Sequence, residues 1–310
     1  MAKPRISVIG AGLMGHGIAE IFAAAGHQVA LHDAFPKTLE SAPSRIKAVF
    51  ELLGQDPAGL KNVTCHSSFE EAVREADFVI EAAPEKPELK QQIFEQLGRA
   101  ARPEAILCTN TSAIPISEVG VHAKGQHRVV GTHFWNPPHL VPLVEVIQAS
   151  FTSQPTIDRT MDLFNSVGMS PVHVKRDIPG FIGNRLQHAL KREAIALVAN
   201  GVCDAETVDK VIKEGFGARL AVLGTLEQSD MVGLNLTLDI HRVLLKDLDR
   251  TPGPNPYLEA KVAAGELGMS TGKGFRSWTP EQAAELRKRL NEYLVAAARA
   301  RVASQQSQKS

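Results

Sequence analysis

Up to about residue 178 the chain alternates short β-rich runs with longer stretches of helical periodicity. Ile6 to Ile9 reads as a first strand, and after a glycine-rich turn Ile18-Ala19-Glu20-Ile21-Phe22-Ala23 has helical spacing. Val29 to Asp33, Phe78 to Ala82, Ala105 to Thr109 and Val129 to His133 predict further strands. Strands alternating with helical patterns predict βαβ units, hence an α/β domain with a doubly wound, mainly parallel sheet between two helical layers.

Past Asp177-Ile178-Pro179-Gly180 the β signal disappears. Leu186 to Leu190, Ile195 to Val198 and Val208 to Ile212 carry helical periodicity instead. Pro179-Gly180 is the expected boundary between a first domain, 1–178, and a second, all-helical domain, 179–310. Thr279-Pro280-Glu281-Gln282 reads as a capping box with proline at the first helical position, opening a helix to about Val302. Ser304 to Ser310 is a polar tail, expected to be disordered.

Composition narrows the partners. Of 310 residues, 44% are hydrophobic and 22% charged, and 34 Lys and Arg balance 34 Asp and Glu. Nucleic-acid binding requires an excess or a cluster of basic residues, so no nucleic-acid partner is expected. Cys65, Cys108 and Cys203 lie far apart without metal-ligand spacing, which argues against a disulfide framework and a zinc site. The N-terminal segment has no signal-peptide pattern, and no run reaches the roughly 18 apolar residues of a membrane span. A soluble cytoplasmic protein without metal or membrane partner is expected.

Gly10-Ala11-Gly12-Leu13-Met14-Gly15 matches G-x-G-x-x-G, a weak signal alone. Here a hydrophobic strand precedes it, a helix follows, and Asp33 ends the next strand eighteen residues after Gly15. Gly10 allows the tight turn, Gly12 lets the backbone approach a pyrophosphate, and Gly15 lets helix and strand pack closely. Leu13 and Met14 open the helix whose N-terminus faces the phosphates. A carboxylate at Asp33 accepts ribose hydroxyls and repels a 2′-phosphate, and no arginine follows it directly. A Rossmann-type fold that binds NAD rather than NADP is expected.

His133 ends a strand, at the carboxyl edge where doubly wound sheets bind ligands. Twelve residues on, Glu145 interrupts the apolar run Leu143-Val144-Glu145-Val146-Ile147. A carboxylate there is costly to bury unless paired, and His133 is the expected partner. A histidine can take the hydroxyl proton of a secondary alcohol as hydride leaves the carbon. A carboxylate on its other nitrogen fixes the tautomer and stabilises imidazolium.

With these residues in place, four ordered motifs make the chain resemble the L-3-hydroxyacyl-CoA dehydrogenase superfamily over nearly its whole length. They are the glycine turn, Thr109-Asn110-Thr111-Ser112, the stretch from His133 to Pro137 with Leu143-Val144-Glu145-Val146, and Pro179-Gly180-Phe181-Ile182-Gly183-Asn184-Arg185. The resemblance implies His133 as catalytic base and Glu145 as its partner. It implies that Ser112 and Asn184 hold the substrate oxygen and orient the histidine and nicotinamide. It also implies cofactor contacts at Ala82, Ala83, Glu85, Lys90 and Asn110 and a substrate contact at Asn136; an exposed helix pair suits Glu85 and Lys90 equally. A homodimer follows from the resemblance and from the apolar faces of the second domain.

Members that act on acyl-CoA carry a lysine just before Leu-Val-Glu-Val and a lysine-rich helical pair after the second strand. Here Pro142 takes the first position, and Ala34 to Asn62 holds only Lys37, Arg45, Lys47 and Lys61, which leaves CoA phosphates short of basic partners. The stretch from Pro137 to Pro142 resembles instead the branch acting on small free carboxylates such as L-gulonate, carnitine and pyridine-carboxylates. Arg219, ahead of Gly224-Thr225-Leu226-Glu227, is placed to clamp a carboxylate bidentately, or is a surface arginine. The expected activity is NAD-dependent interconversion of a hydroxyl and a carbonyl β to a carboxyl or thioester, with a small hydroxy acid as the preferred substrate. A true acyl-CoA dehydrogenase is one alternative, and a non-catalytic NAD-binding structural or sensor protein is another.

Overall fold

A computed structural model describes residues 3–307. Eight strands, β1 (Ile6–Ile9), β2 (Val29–His32), β3 (Val63–His66), β4 (Phe78–Glu81), β5 (Ile106–Thr109), β6 (Val129–Phe134), β7 (Leu143–Ile147) and β8 (Ser170–Val174), form one sheet in the order β3-β2-β1-β4-β5-β6-β7-β8. Every neighbouring pair is parallel except β6 with β7. The helices between them are α1 (Leu13–Ala24), α2 (Pro36–Leu53), α3 (Phe69–Val73), α4 (Pro87–Ala100), α5 (Ile116–Val119) and α6 (Gln154–Ser166).

β1, β4 and β5 are buried at every residue, as parallel strands covered on both faces must be. Their alternate side chains feed two cores. Val8 and Ile80 join Phe22, Phe134 and Phe164 on one face, and Ile9 and Val79 join Phe94 and Leu107 on the other.

The five strands expected from the hydrophobic runs are all present, and three more accompany them. β3 is half exposed and has no apolar run to announce it. Glu145 breaks the pattern of β7. β8 contains Pro171, which the sheet tolerates because β8 lies at its edge.

The residues up to Asn184, together with those from Leu290 onward, form one unit, and Arg185–Arg289 form a second. The later helices are α7 (Gly183–Ala199), α8 (Ala205–Glu214), α9 (Thr225–Val232), α10 (Leu234–Leu244), α11 (Pro256–Ala263) and α12 (Pro280–Ser307). The capping box at the start of α12 is formed: the Thr279 N–H donates to Gln282 Oε1 at 3.0 Å, and the Gln282 N–H to Thr279 Oγ1 at 3.2 Å.

The end of the chain differs from the expectation of a helical domain running from 179 to the terminus. Val295 and Ala298 pack with Val49 and Leu53 of α2 and with Leu140, which groups the last part of α12 with the first unit. The tail expected to be disordered from Ser304 is helical as far as Ser307, and 308–310 lie outside the described residues. No described helix is long and apolar enough to cross a membrane.

Candidate active site

The strand order reverses between β1 and β4, and open α/β sheets hold ligands at the carboxyl ends of strands at such a point. Gly10 leaves β1 at φ 102°, and a Cβ on it would lie 2.7 Å from the Ala82 carbonyl oxygen. A Cβ on Gly15 would lie 1.7 Å from the Gly10 carbonyl oxygen. The protein's own packing therefore demands both glycines. Gly12 differs, because its φ is −68° and no atom lies within 4 Å of the place its Cβ would take. The open space leaves room for a ligand to approach the start of α1, whose first N–H groups have no side-chain cap. Leu13 is exposed in this first turn and Met14 half-buried. Asp33, directly after β2, is fixed beside the turn by the N–H groups of Ala11 and Phe35, at 2.7 and 2.8 Å. These features fit NAD.

Two residues that the motif does not include hold the turn from behind. Arg45 of α2 donates to the carbonyls of Ala11 at 2.8 Å, Gly12 at 3.3 Å and Thr38 at 2.8 Å. His16 Nδ1 donates to the Gly12 carbonyl at 2.7 Å. Burial lowers the His16 pKa, and the charge of Arg45 adds to this against the opposing bond to Gly12. No local signal marks Arg45, since its partners lie 33 and 34 residues away. Lys47, also among the few basic residues considered for a CoA tail, pairs with Glu51 at 3.7 Å.

At the carboxyl end of β4, Glu81 is fully buried. Its Oε1 accepts from Lys90 Nζ and from the Ala83 N–H, both at 2.7 Å, and its Oε2 accepts from the Thr109 hydroxyl at 2.7 Å. Lys90, 0% exposed, also lies 3.5 Å from Glu85 Oε2, so Glu85 and Lys90 do not form an exposed helix pair. Glu85 accepts from the Thr111 hydroxyl at 2.6 Å and from the N–H groups of Ser112 and Ala113 at 2.8 and 3.1 Å. Burial alone would raise its carboxyl, but the Thr111 hydroxyl, Lys90 and the two N–H groups outweigh that and hold it below the usual range. Glu81, which the sequence analysis does not single out, is the buried centre of this cluster. Its signal, a lone carboxylate closing an apolar run, is the one that marks Glu145.

The antiparallel register of β6 and β7 sets His133 directly opposite Glu145, and opposed residues project from the same face of a sheet. His133 Nδ1 lies 2.8 Å from Glu145 Oε2, and both side chains are buried. Glu145 Oε1 accepts from the Ile182 N–H at 2.9 Å and the Gly183 N–H at 3.0 Å. Burial pushes the Glu145 carboxyl up, but the His133 bond and the two N–H groups more than compensate, so it remains a carboxylate. Nδ1 is thereby committed, and Nε2 is the nitrogen left for chemistry. The imidazole lies between the rings of Trp135 and Phe181, at 5.5 and 5.7 Å between centroids.

The remaining expected residues are placed as follows. Asn184 Nδ2 donates to the Ser112 carbonyl at 2.8 Å, which joins Asn184, Ser112 and Glu85 in one chain of bonds. Asn110 Oδ1 accepts from the Phe134 N–H at 2.8 Å and so fixes the end of β6. Asn136 is exposed just after β6. Arg219 closes a short 3-10 turn, Phe216–Arg219, in the second unit and is exposed. Among the described residues, no group of three His, Cys, Asp or Glu side chains could hold a metal ion, and the three cysteines are free.

Comparisons with known proteins show the family of the chain. The family model for the NAD binding domain of 3-hydroxyacyl-CoA dehydrogenase matches residues 5–178, and that for its C-terminal domain matches 180–278. A 5-formyl-3-hydroxy-2-methylpyridine 4-carboxylate 5-dehydrogenase of Mesorhizobium japonicum is 36% identical over 95% of this chain and 97% of its own length. A probable 3-hydroxybutyryl-CoA dehydrogenase of Bacillus subtilis is 37% identical over 89% of this chain and 97% of its own. An L-carnitine dehydrogenase of Oceanobacillus iheyensis is 31% identical over 94% and 96%. A solved structure of a 5-formyl-3-hydroxy-2-methylpyridine 4-carboxylic acid 5-dehydrogenase, described as an NAD+ dependent dismutase, superposes with a TM-score of 0.89 at 35% identity, covering 97% of this chain and 99% of that one.

Proposed function

Because the chain belongs to the 3-hydroxyacyl-CoA dehydrogenase family, as an NAD-dependent dehydrogenase acting on a hydroxyl group, we propose that His133 is its general base and that its substrate is a small hydroxy acid with a free carboxylate. The observation that carries this reading is the buried pair in which Glu145 holds His133 Nδ1 at 2.8 Å. With Nδ1–H donating to the carboxylate, Nε2 is basic and takes the hydroxyl proton. The charge that forms on the ring is offset by a carboxylate already held ionised by two backbone N–H groups. NAD, when bound, supplies the hydride acceptor. Ser112 and Asn184 position the substrate oxygen, and Glu85, Lys90 and Asn110 hold the loops that border the nicotinamide end. In reverse, His133 protonates a carbonyl.

The free acid is favoured over a CoA ester because Arg45 is engaged with the glycine turn and Lys47 with Glu51. Two of the relatives are named for small carboxylates. Arg219 is the proposed partner of the substrate carboxylate. The Bacillus relative favours the second reading, a 3-hydroxybutyryl-CoA dehydrogenase. The protein acts in the cytoplasm, as a homodimer.

NADH formation over a panel of free hydroxy acids and 3-hydroxyacyl-CoAs separates the two readings, the free acids being expected to give the higher kcat/KM; higher values for the CoA esters would exclude the small-acid reading. In His133→Ala, kcat should fall by about 10²–10⁴ with NADH affinity little changed. Unaltered turnover would sink the base assignment.

A further inference from the structure

The first unit holds a second cavity that the dehydrogenase site does not use. It measures about 740 Å³, within the range of small-molecule pockets. Its wall is built from the second half of α1, the segment after α6 and the last part of α12. Three buried polar atoms in that wall have no hydrogen-bond partner: Glu20 Oε1, Gln55 Oε1 and His139 Nδ1. Native proteins leave few such atoms, and three lining one cavity mark a place for polar contents.

Glu20 is 1% exposed, and burial raises its carboxyl to about 8, so it is protonated at neutral pH and can both donate and accept. The amide oxygen of Gln55 can only accept. Arg301 supplies the positive charge. It makes only long contacts, 3.4 and 3.5 Å, with the Leu140 carbonyl, and no carboxylate pairs with it among the described residues. Ordered water could satisfy Glu20 and Gln55, whereas an anion would in addition pair with the half-buried guanidinium.

We propose that this cavity binds a small hydroxylated anion, whose charged end meets Arg301 and whose hydroxyl groups donate to Glu20 and Gln55. A carboxylate and a phosphate suit the guanidinium equally well. The cavity is separate from the glycine turn, although α1 carries both, with Gly12 at its N-cap and Glu20 in its third turn.

Calorimetric titration of the full-length protein tests this with D-gluconate, glycerol 3-phosphate, propionate and myo-inositol. At least one of the two hydroxylated anions should bind, with propionate and myo-inositol weaker by at least about tenfold. Binding of gluconate alone assigns a carboxylate, and binding of glycerol 3-phosphate alone a phosphate. Arg301→Ala and Gln55→Leu should each weaken the anion by about tenfold or more and leave NADH affinity unchanged. Gluconate held in the dehydrogenase site would be indifferent to both substitutions. Absence of binding at millimolar concentration, equal binding by both variants, or a crystal soaked with the anions that shows only water in the cavity would overturn the proposal.

Discussion

In the first unit several ionisable side chains are buried in partnered groups, with Lys90 bonded to Glu81 and beside Glu85, and His133 against Glu145. In the second unit only Ala196, Gly274 and Ala283 are buried, and the exposed side chains include Leu186, Leu226, Leu238 and Val243. α10 is apolar on several sides yet buries no residue within the chain. A helix of that kind is normally covered. The sheet thus makes its own low-dielectric environment, where a paired charge has a large effect, while the helical unit has the composition of a core with half of its packing missing. We propose on this ground that the first unit carries the chemistry and that the second is the surface for association of two copies.

Removing one partner from a buried cluster is the strongest challenge to this contrast. Lys90→Met leaves the fully buried Glu81 without its cation and takes one partner from the exposed Glu85. The expected loss is about 3–5 kcal/mol of unfolding free energy in urea. The exposed pair of Arg242 with Asp239 in the second unit should give no more than about 0.5 kcal/mol when Arg242 is replaced by Ala. Similar losses for the two variants would erase the distinction.

A smaller effect comes from a buried group without a partner. The Glu20 carboxyl is raised by burial from 4.5 to about 8, so the folded state prefers the protonated form. Stability is complete below the unfolded value near 4.5 and is lost as pH rises through 8. At 1.36 kcal/mol per unit, roughly 2 kcal/mol should disappear between pH 6 and 8. Glu20→Gln, which has no charge to form, should flatten that part of the profile. A wild-type curve already flat from pH 6 to 8 would show that Glu20 is better solvated than its position implies.

The parts of this picture legible in the sequence are those where one residue type has one physical use. Gly10, Gly12 and Gly15 with Asp33 announce the dinucleotide turn because only glycine fits the close approaches at Gly10 and Gly15 and leaves the backbone at Gly12 open to a pyrophosphate. Glu145 announces a partner because an unpaired carboxylate does not survive in an apolar run. Glu81 gives the same sign at the end of β4, and its partner Lys90 lies nine residues on, in the next helix. The antiparallel pairing that sets His133 opposite Glu145 was not legible, since a twelve-residue spacing does not distinguish a hairpin from a crossover. Nor was the role of Arg45, which depends on contacts 33 and 34 residues away. The packing of α12 on α2 rests on Val295 and Ala298, whose pattern does not say which surface they meet.

The least change to the isolated chain should come from the face that distinguishes the second unit. Leu238 and Val243 are 51% and 75% exposed, so replacing both with Glu removes little packing within one copy. Such surface substitutions alter intrinsic stability by about 0.5 kcal/mol or less. If α10 is covered by a second copy, two charges placed there are buried at the interface without partners, and association fails. Light scattering coupled to size exclusion should then show a dimer for wild type and a monomer for the double variant. The monomer should keep its NADH affinity, because the turn, Asp33 and the Glu81 cluster all lie in the first unit. A wild-type protein that is monomeric at micromolar concentration would remove the case for a covering copy. A double variant that loses both its fold and NADH binding would show that this face stabilises the single chain, and the division of labour between the units would fail with it.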